Sequence, residues 1–268
     1  MGREGALAPA CGGQWPLVRA AGSATHASRS GHTRADVGGR LTDTREVSAG
    51  PDGATGSGDR ERAGIDPGIG VCGIVLAGGR ASRFGGDKLS ATVGSRPLLA
   101  LAIDALVRIC DEVVVTIAPR YRPPPFPAGP RLVADPAAHE GPVSGIFSGA
   151  AATKMDVLLV VGGDMPTLEP AVLEMLVAAT CSSGLATALG LGVDDSAQPL
   201  PHALCRAALS GWLGDGSHRG SPSLRSFLRS IDCRVIPEAT WRRIDPAGRT
   251  IRDVDRRSDL LDASRLRE

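Results

Sequence analysis

An apolar strand that runs directly into paired glycines and then into a cationic stretch leaves few folds open to this chain. The segment is Ile74-Val-Leu-Ala-Gly-Gly-Arg-Ala-Ser-Arg-Phe-Gly-Gly-Asp-Lys88. Cys72 to Leu76 is continuously apolar, as a strand buried on both faces must be. Gly78 and Gly79 follow at once, and then Arg80, Arg83 and Lys88. Glycine has no Cβ, so its backbone N–H approaches a ligand closely. Successive amides in a turn form a concavity that holds anions. Arg83 offers a guanidinium that grips a phosphate through two parallel hydrogen bonds. The segment therefore predicts a strand that ends on the phosphates of a nucleotide.

Two better-known phosphate loops are excluded by context. The spacing G-x-G-x-x-G occurs at Gly68-Ile-Gly70-Val-Cys-Gly73, but it enters the strand, whereas a dinucleotide loop leaves one. A P-loop requires Gly before its lysine and Ser or Thr after it, yet Lys88 stands between Asp87 and Leu89. Lysine usage singles out the same residue. Of 30 basic residues only Lys88 and Lys154 are lysines. In a chain that otherwise prefers arginine, a retained lysine points to a need for a compact point charge.

Residues 1–69 are rich in Gly, Ala, Ser, Thr, Arg and Asp, and their few large apolar residues follow no helical or strand period. Such a segment buries too little apolar surface to offset its ordering entropy, so a disordered extension is expected there. It contains no apolar core of the kind a secretory signal requires. From Val71 short apolar runs alternate with helical stretches. Strands are expected at Cys72–Leu76, Val113–Ala118, Arg131–Ala134, Val157–Val161, Leu185–Leu191, His202–Cys205, Cys233–Ile236 and Thr250–Val254. Helices are expected from Pro97 to Cys110, Pro142 to Thr153, Pro170 to Thr180, Arg206 to Leu213, Ser223 to Ser230 and Ser258 to Leu266. Alternation of this kind implies βαβ units around a parallel sheet, in one α/β domain over 70–268. Ligands of such sheets lie beyond the carboxyl ends of the strands. The glycine loop, Asp135 and Asp164 all fall at such ends.

Asp164 follows the most apolar strand and two glycines, with Pro166 stiffening the exit. A carboxylate there suits Mg²⁺, a hard cation held by one or two protein carboxylates together with phosphates. It could instead cap the next helix, although Thr167 lies nearer the helix start and is the better cap. Asp253 and Asp255 close the last expected strand, where alternation points both to one side. Asp255 is then either a second metal ligand or the N-cap of the final helix. Asp135 before Pro136 also suits a simple turn, and Gly141-Pro142 suits a helix that begins with proline.

The pattern L-A-G-G-x-x-x-R-x-G-x-D-K over Leu76 to Lys88 resembles the signature of nucleotidyltransferases that activate small molecules with an NTP. Within that group it is most similar to the molybdenum cofactor guanylyltransferase family. The resemblance extends from residue 72 to about 262 and implies a three-layer, Rossmann-like fold with a mostly parallel central sheet. It implies transfer of GMP from GTP to molybdenum-bound molybdopterin with release of pyrophosphate. It also implies Mg²⁺ as cofactor, a cytoplasmic location and molybdoenzyme chaperones as candidate partners. By the same resemblance Leu76, Ala77, Gly78 and Gly79 present backbone to the nucleotide and Asp135 contacts the guanosine. Arg83 and Lys88 stabilise the pyrophosphate, and Asp164 holds the metal, with Asp255 as a second ligand. Gln198-Pro199-Leu200-Pro201-His202 is similar to a segment that precedes a strand in the family, where His202 is either a substrate contact or structural.

The chain also departs from the family. Thr116 stands where an asparagine is usual, and Arg256-Arg257-Ser258-Asp259 replaces Thr-Pro-Glu-Asp. Three alternatives follow: cytidylyl transfer to the same cofactor, transfer to another phosphorylated metabolite, or a non-catalytic binding homologue. The Leu76-Ala-Gly-Gly79 and Asp87-Lys88 pairs favour GTP over CTP.

Composition excludes other classes. A net charge of +1 and 3% aromatic residues supply neither the basic footprint nor the stacking surface of a nucleic-acid binder. No apolar run reaches the roughly 18 residues of a membrane span. The six cysteines form no C-x-x-C pair, which argues against a zinc site and for a reducing compartment.

Overall fold

The structure, a computed structural model, describes residues 17–18, 65–66, 68–78, 84–135, 141–214 and 222–266. The extension contributes β1 (Leu17–Val18), and the domain proper starts with β2 (Val71–Ala77). A short hairpin, β3 (Thr92–Val93) and β4 (Arg96–Pro97), leads into α1 (Leu98–Val107). Then come β5 (Glu112–Ile117), β6 (Arg131–Ala134), α2 (Pro142–Ala151), β7 (Val157–Gly162) and α3 (Pro170–Ser183). The second half comprises β8 (Ala186–Leu191), β9 (Ser196–Cys205), α4 (Arg206–Gly214), α5 (Leu224–Ser230), β10 (Cys233–Ile236) and α6 (Glu238–Trp241). A 3-10 turn at Arg249–Ile251 and α7 (Asp259–Arg265) complete it.

One sheet has the order β1-β10-β8-β9-β7-β2-β5-β6. β6, β5, β2 and β7 run parallel, as do β8 and β10, while β9 is antiparallel to both of its neighbours. Successive residues of the central strands face opposite sides. Val75, Val115, Leu159 and Val161 pack with Leu99, Ile103 and Leu106 of α1 and Leu173 and Leu176 of α3. Cys72, Ile74, Val114 and Val160 pack with Ile146 of α2 and Phe227 of α5. The result is the expected three layers, helix–sheet–helix. Each fully buried Leu or Ile contributes on the order of 2 kcal/mol of transfer free energy.

Two glycines let the helices sit close to β2. A Cβ on Gly73 would fall 2.8 Å from Leu106 Cδ1, and one on Gly149 would fall 2.9 Å from Ile74 Cγ2.

Two expectations are corrected and one element is added. β9 begins at Ser196, well before His202. Its pairing with β8 is interrupted between Ala188 and Gly190, and Pro199 and Pro201 fall in the interruption, where no ladder donor is missed. Thr250–Val254 is not a strand. The 3-10 turn occupies its start, with Thr250 N donating to Asp245 Oδ2 at 2.7 Å. Hairpin β3–β4 was not expected, being only two residues per arm.

His202 lies in mid-sheet, paired with Val160 of β7 and Ala188 of β8, and is fully buried. It is therefore structural. Nδ1 stands 2.7 Å from Pro199 O, and Nε2 is buried without a partner. Burial lowers its pKa to about 4, against a weaker opposing pull from the Pro199 carbonyl. The unfolded chain, with an ordinary value near 6.5, binds the proton first as pH falls. Stability from this residue is then complete above about pH 6.5 and lost between about 6.5 and about 4, by at most about 3 kcal/mol. Urea denaturation across that range should show the decline, and His202→Gln should flatten it.

Candidate active site

The parallel strands end on one rim. Leu76 lies opposite Thr116 of β5 and Gly162 of β7, and Thr116 lies opposite Val133 of β6. Strands lie about 4.8 Å apart, so Asp135 past β6 and Asp164 past β7 bracket roughly 14 Å of rim. Leu76, Ala77 and Gly78 stand on this rim. Gly79, Arg80 and Arg83 lie outside the described residues.

Backbone hydrogen bonds assemble the acidic end. Leu76 O accepts from Gly163 N at 3.0 Å, so β2 itself holds the turn that carries Asp164. A Cβ on Gly163 would fall 3.3 Å from that carbonyl oxygen and 3.2 Å from Leu89 and Leu99, which accounts for glycine there. Asp164 O in turn accepts from Val254 N at 3.0 Å. This bond, and not a strand ladder, brings Asp253 and Asp255 to Asp164. One carboxylate oxygen from each of the three aspartates lies within 4.8 Å of the others.

Lys88 closes the group. Its Nζ stands 2.8 Å from Asp164 Oδ2 and 2.8 Å from Asp255 Oδ1. Asp87 shapes the turn that delivers it, because its carboxylate accepts from Leu89 N at 3.2 Å, from Tyr121 Oη at 2.8 Å and from the Ser90 hydroxyl. Lys88 is only 9% exposed. Burial pulls its pKa down, but Asp164 and then Asp255 more than reverse this and hold it above the ordinary value. Asp253 is shifted upward by burial of its carboxyl and then by the charges of Asp164 and Asp255.

The capping alternatives are resolved. Asp259 Oδ2 accepts from Asp255 N at 2.9 Å and Arg256 N at 2.7 Å, α7 begins behind Ser258 without a side-chain cap, and Asp255 Oδ1 meets Lys88 instead of capping the helix. Thr167, expected to cap α3, donates instead to Arg249 O at 2.8 Å, and α3 begins behind Glu169 without a side-chain cap. Asp135 stands apart from Lys88, at the other end of the rim. It is 4% exposed, and the Ser144 and Ser148 hydroxyls of α2 lie 2.7 and 2.9 Å from its two oxygens. Thr116 lies buried nearby and donates to Val75 O at 3.3 Å.

Lys88, Asp164 and Asp255 are thus brought together as the sequence suggested. Asp253 was missed as a member of the acid set, and its signal was the Asp-x-Asp spacing.

A sequence profile of the MobA-like NTP transferase domain matches residues 73–238. The chain belongs to the MobA-like NTP transferase family. A probable molybdenum cofactor guanylyltransferase of Chloroflexus aggregans is 38% identical over 109 residues, 40% of this chain and 51% of that protein. The chain thus spans about half the length of that relative. One of the same description from Thermococcus gammatolerans is 29% identical over 62% of this chain and 86% of its own length. Among solved structures, molybdopterin-guanine dinucleotide biosynthesis protein A of Archaeoglobus fulgidus superposes with a TM-score of 0.57, covering 73% of this chain and 97% of that one. At 18% identity this likeness concerns the fold. The family match stops short of Asp253, Asp255 and the residues after them.

If the three carboxylates share one field, neutralising Asp164 must ease the ionisation of Asp253. In a ¹³C carboxyl NMR titration the Asp253 midpoint should move down in Asp164→Asn. An unmoved midpoint would separate Asp253 from the cluster.

Proposed function

We propose that the chain transfers GMP from GTP to the phosphate of molybdenum-bound molybdopterin and releases pyrophosphate. The observation that carries this reading is the meeting of Lys88, from the end of the glycine loop, with Asp164 and Asp255 at the carboxyl rim of the sheet. The names of the Chloroflexus and Thermococcus relatives support GTP and the molybdenum cofactor as the substrate pair.

The residues present fit Mg²⁺. Three carboxylates with oxygens within 4.8 Å of one another offer hard ligands for a divalent ion that also binds phosphate oxygens. Asp164 and Asp255 would hold it, with Asp253 beside them. When bound, it would neutralise charge on the triphosphate.

In the reaction an oxygen of the acceptor phosphate forms a bond to the α-phosphorus of GTP. The bond from the α-phosphorus to the bridging oxygen breaks, and its electron pair departs with pyrophosphate. The attacking oxygen is already anionic, so no protein nucleophile and no general base are needed. What the chain supplies is position and charge. The rim at Leu76, Ala77 and Gly78 offers backbone to the nucleotide. Lys88 neutralises the leaving group, with Arg83 assigned the same task from the loop. Asp135, fixed by two serines of α2, is assigned to the guanosine end.

Lys88 has a second task. Its ammonium stands 2.8 Å from oxygens of Asp164 and Asp255. A divalent ion held by these acids would compete with the ammonium for the same negative charge. Lys88 therefore neutralises these acids in the nucleotide-free chain.

We place the chain in the cytoplasm. The five described cysteines are free, in keeping with a reducing compartment, and no described helix is long and apolar enough to cross a membrane.

Purified full-length chain given GTP, Mg²⁺ and molybdenum-bound molybdopterin should release pyrophosphate and form the guanine dinucleotide. Lys88→Ala and Asp164→Ala should each lower turnover at least about a hundredfold, the scale of a lost transition-state electrostatic contact. Near-normal turnover in both variants would refute the assignment, and preference for CTP would overturn the choice of base.

A further inference from the structure

The segment 84–88, which runs out of the glycine loop, lies alongside residues 255–257. Lys88 Nζ meets Asp255 Oδ1 at 2.8 Å. Two residues along each segment there is a second contact. The Arg257 guanidinium carbon stands 5.3 Å from the centroid of the Phe84 ring. Its Nη2 lies 3.8 Å from the point a Cβ on Gly86 would occupy. The two segments run in opposite senses, since the step from Lys88 back toward the glycine loop matches the step from Asp255 on to Arg257. Arg257 therefore stands on the side of Lys88 toward Phe84.

The charge balance at this junction is unusual. Lys88 is engaged by Asp164 and Asp255, and with Asp253 the group carries an excess of negative charge. A polyphosphate needs cations beyond a lysine so engaged. The Arg257 side chain is exposed, and among the described residues its guanidinium has neither an ion-pair nor a hydrogen-bond partner. The Phe84 ring steadies it through a cation–π contact, which leaves its N–H donors free for a planar, two-point grip on an oxyanion. This is also where the sequence departs from the resembling family, with Arg256-Arg257 in place of Thr-Pro.

We propose that Arg257 binds a phosphate oxyanion of the reactants, held in place by Phe84. The proposal rests on the nucleotidyl-transfer reading. The oxyanion belongs either to the triphosphate or to the acceptor's phosphate.

Isothermal titration of the full chain with Mg²⁺–pyrophosphate and Mg²⁺–GTP tests it, together with the KM for the acceptor. Arg257→Gln should melt at the unaltered temperature, because the side chain is exposed. It should bind pyrophosphate and GTP at least about tenfold more weakly, as loss of one charge-assisted pair requires, while its affinity for guanosine is unchanged. Arg257→Lys should recover part of the loss, and Phe84→Leu should show a smaller one. A tenfold rise confined to the acceptor KM would equally support the proposal and place the guanidinium on the acceptor. If unaltered chain binds GTP and Arg257→Gln changes neither the affinities nor that KM, the proposal is wrong. If unaltered chain binds neither GTP nor pyrophosphate, the transfer reading falls and takes this inference with it.

Discussion

The functional end of this molecule depends on one ammonium group held between carboxylates from distant parts of the chain. Asp164, Asp253 and Asp255 crowd within 4.8 Å of one another. Without a cation among them their negative charges would repel one another. Lys88 supplies that cation from a position only 9% exposed, and water screens its pair with Asp164 less than its pair with the half-exposed Asp255. The arrangement is also vulnerable, because loss of either acid leaves a largely buried charge with one partner fewer. Its geometry is inherited from the backbone. β2 holds the Asp164 turn through Leu76 O, and that turn holds the C-terminal segment through Val254 N.

The sheet makes the assembly possible by bringing four parallel strands to a common edge. The two helical layers then divide the labour. On one face, α1 and α3 fill the larger core with leucine, isoleucine and valine. On the other, α2 also carries the serines that fix Asp135 at the far end of the rim. The two ends of the rim therefore differ in kind. One is a buried acid already satisfied by hydroxyls, suited to reading a hydrogen-bonding edge. The other is a charged junction suited to phosphate and metal. A nucleotide, with a base at one end and phosphates at the other, has the same polarity.

Much of this was legible because local pattern and tertiary role coincide in the first half of the domain. β6, and in the second half β10, have the limits their apolar runs suggested, and Lys88 and Asp164 stood out by loop chemistry and strand-end position. The misreadings share a physical cause. In Thr250–Val254 the buried Thr250 and Val254 mimic strand alternation, but no neighbouring strand is there, and a pattern cannot report its partner. In β9 the prolines hide a strand whose pairing is broken at just those residues. Asp253 was read on the same side as Asp255 but not as a ligand, because the sequence does not show the Val254 hydrogen bond that sets both beside Asp164. The opposition of Arg257 to Phe84 joins residues far apart in sequence and leaves no local trace. Arg83 and Gly79 lie outside the described residues, and their roles rest on the resemblance.

The central claim is that Lys88 occupies the acids proposed to hold the divalent cation and competes with it for them. Titration of the nucleotide-free chain with Mn²⁺, read by electron paramagnetic resonance, tests it most directly. The account predicts that Lys88→Met binds Mn²⁺ at least about tenfold more tightly than the unaltered chain, a gain of roughly 1.4 kcal/mol, and that adding Asp164→Asn abolishes the gain. Equal or weaker binding by Lys88→Met would contradict it.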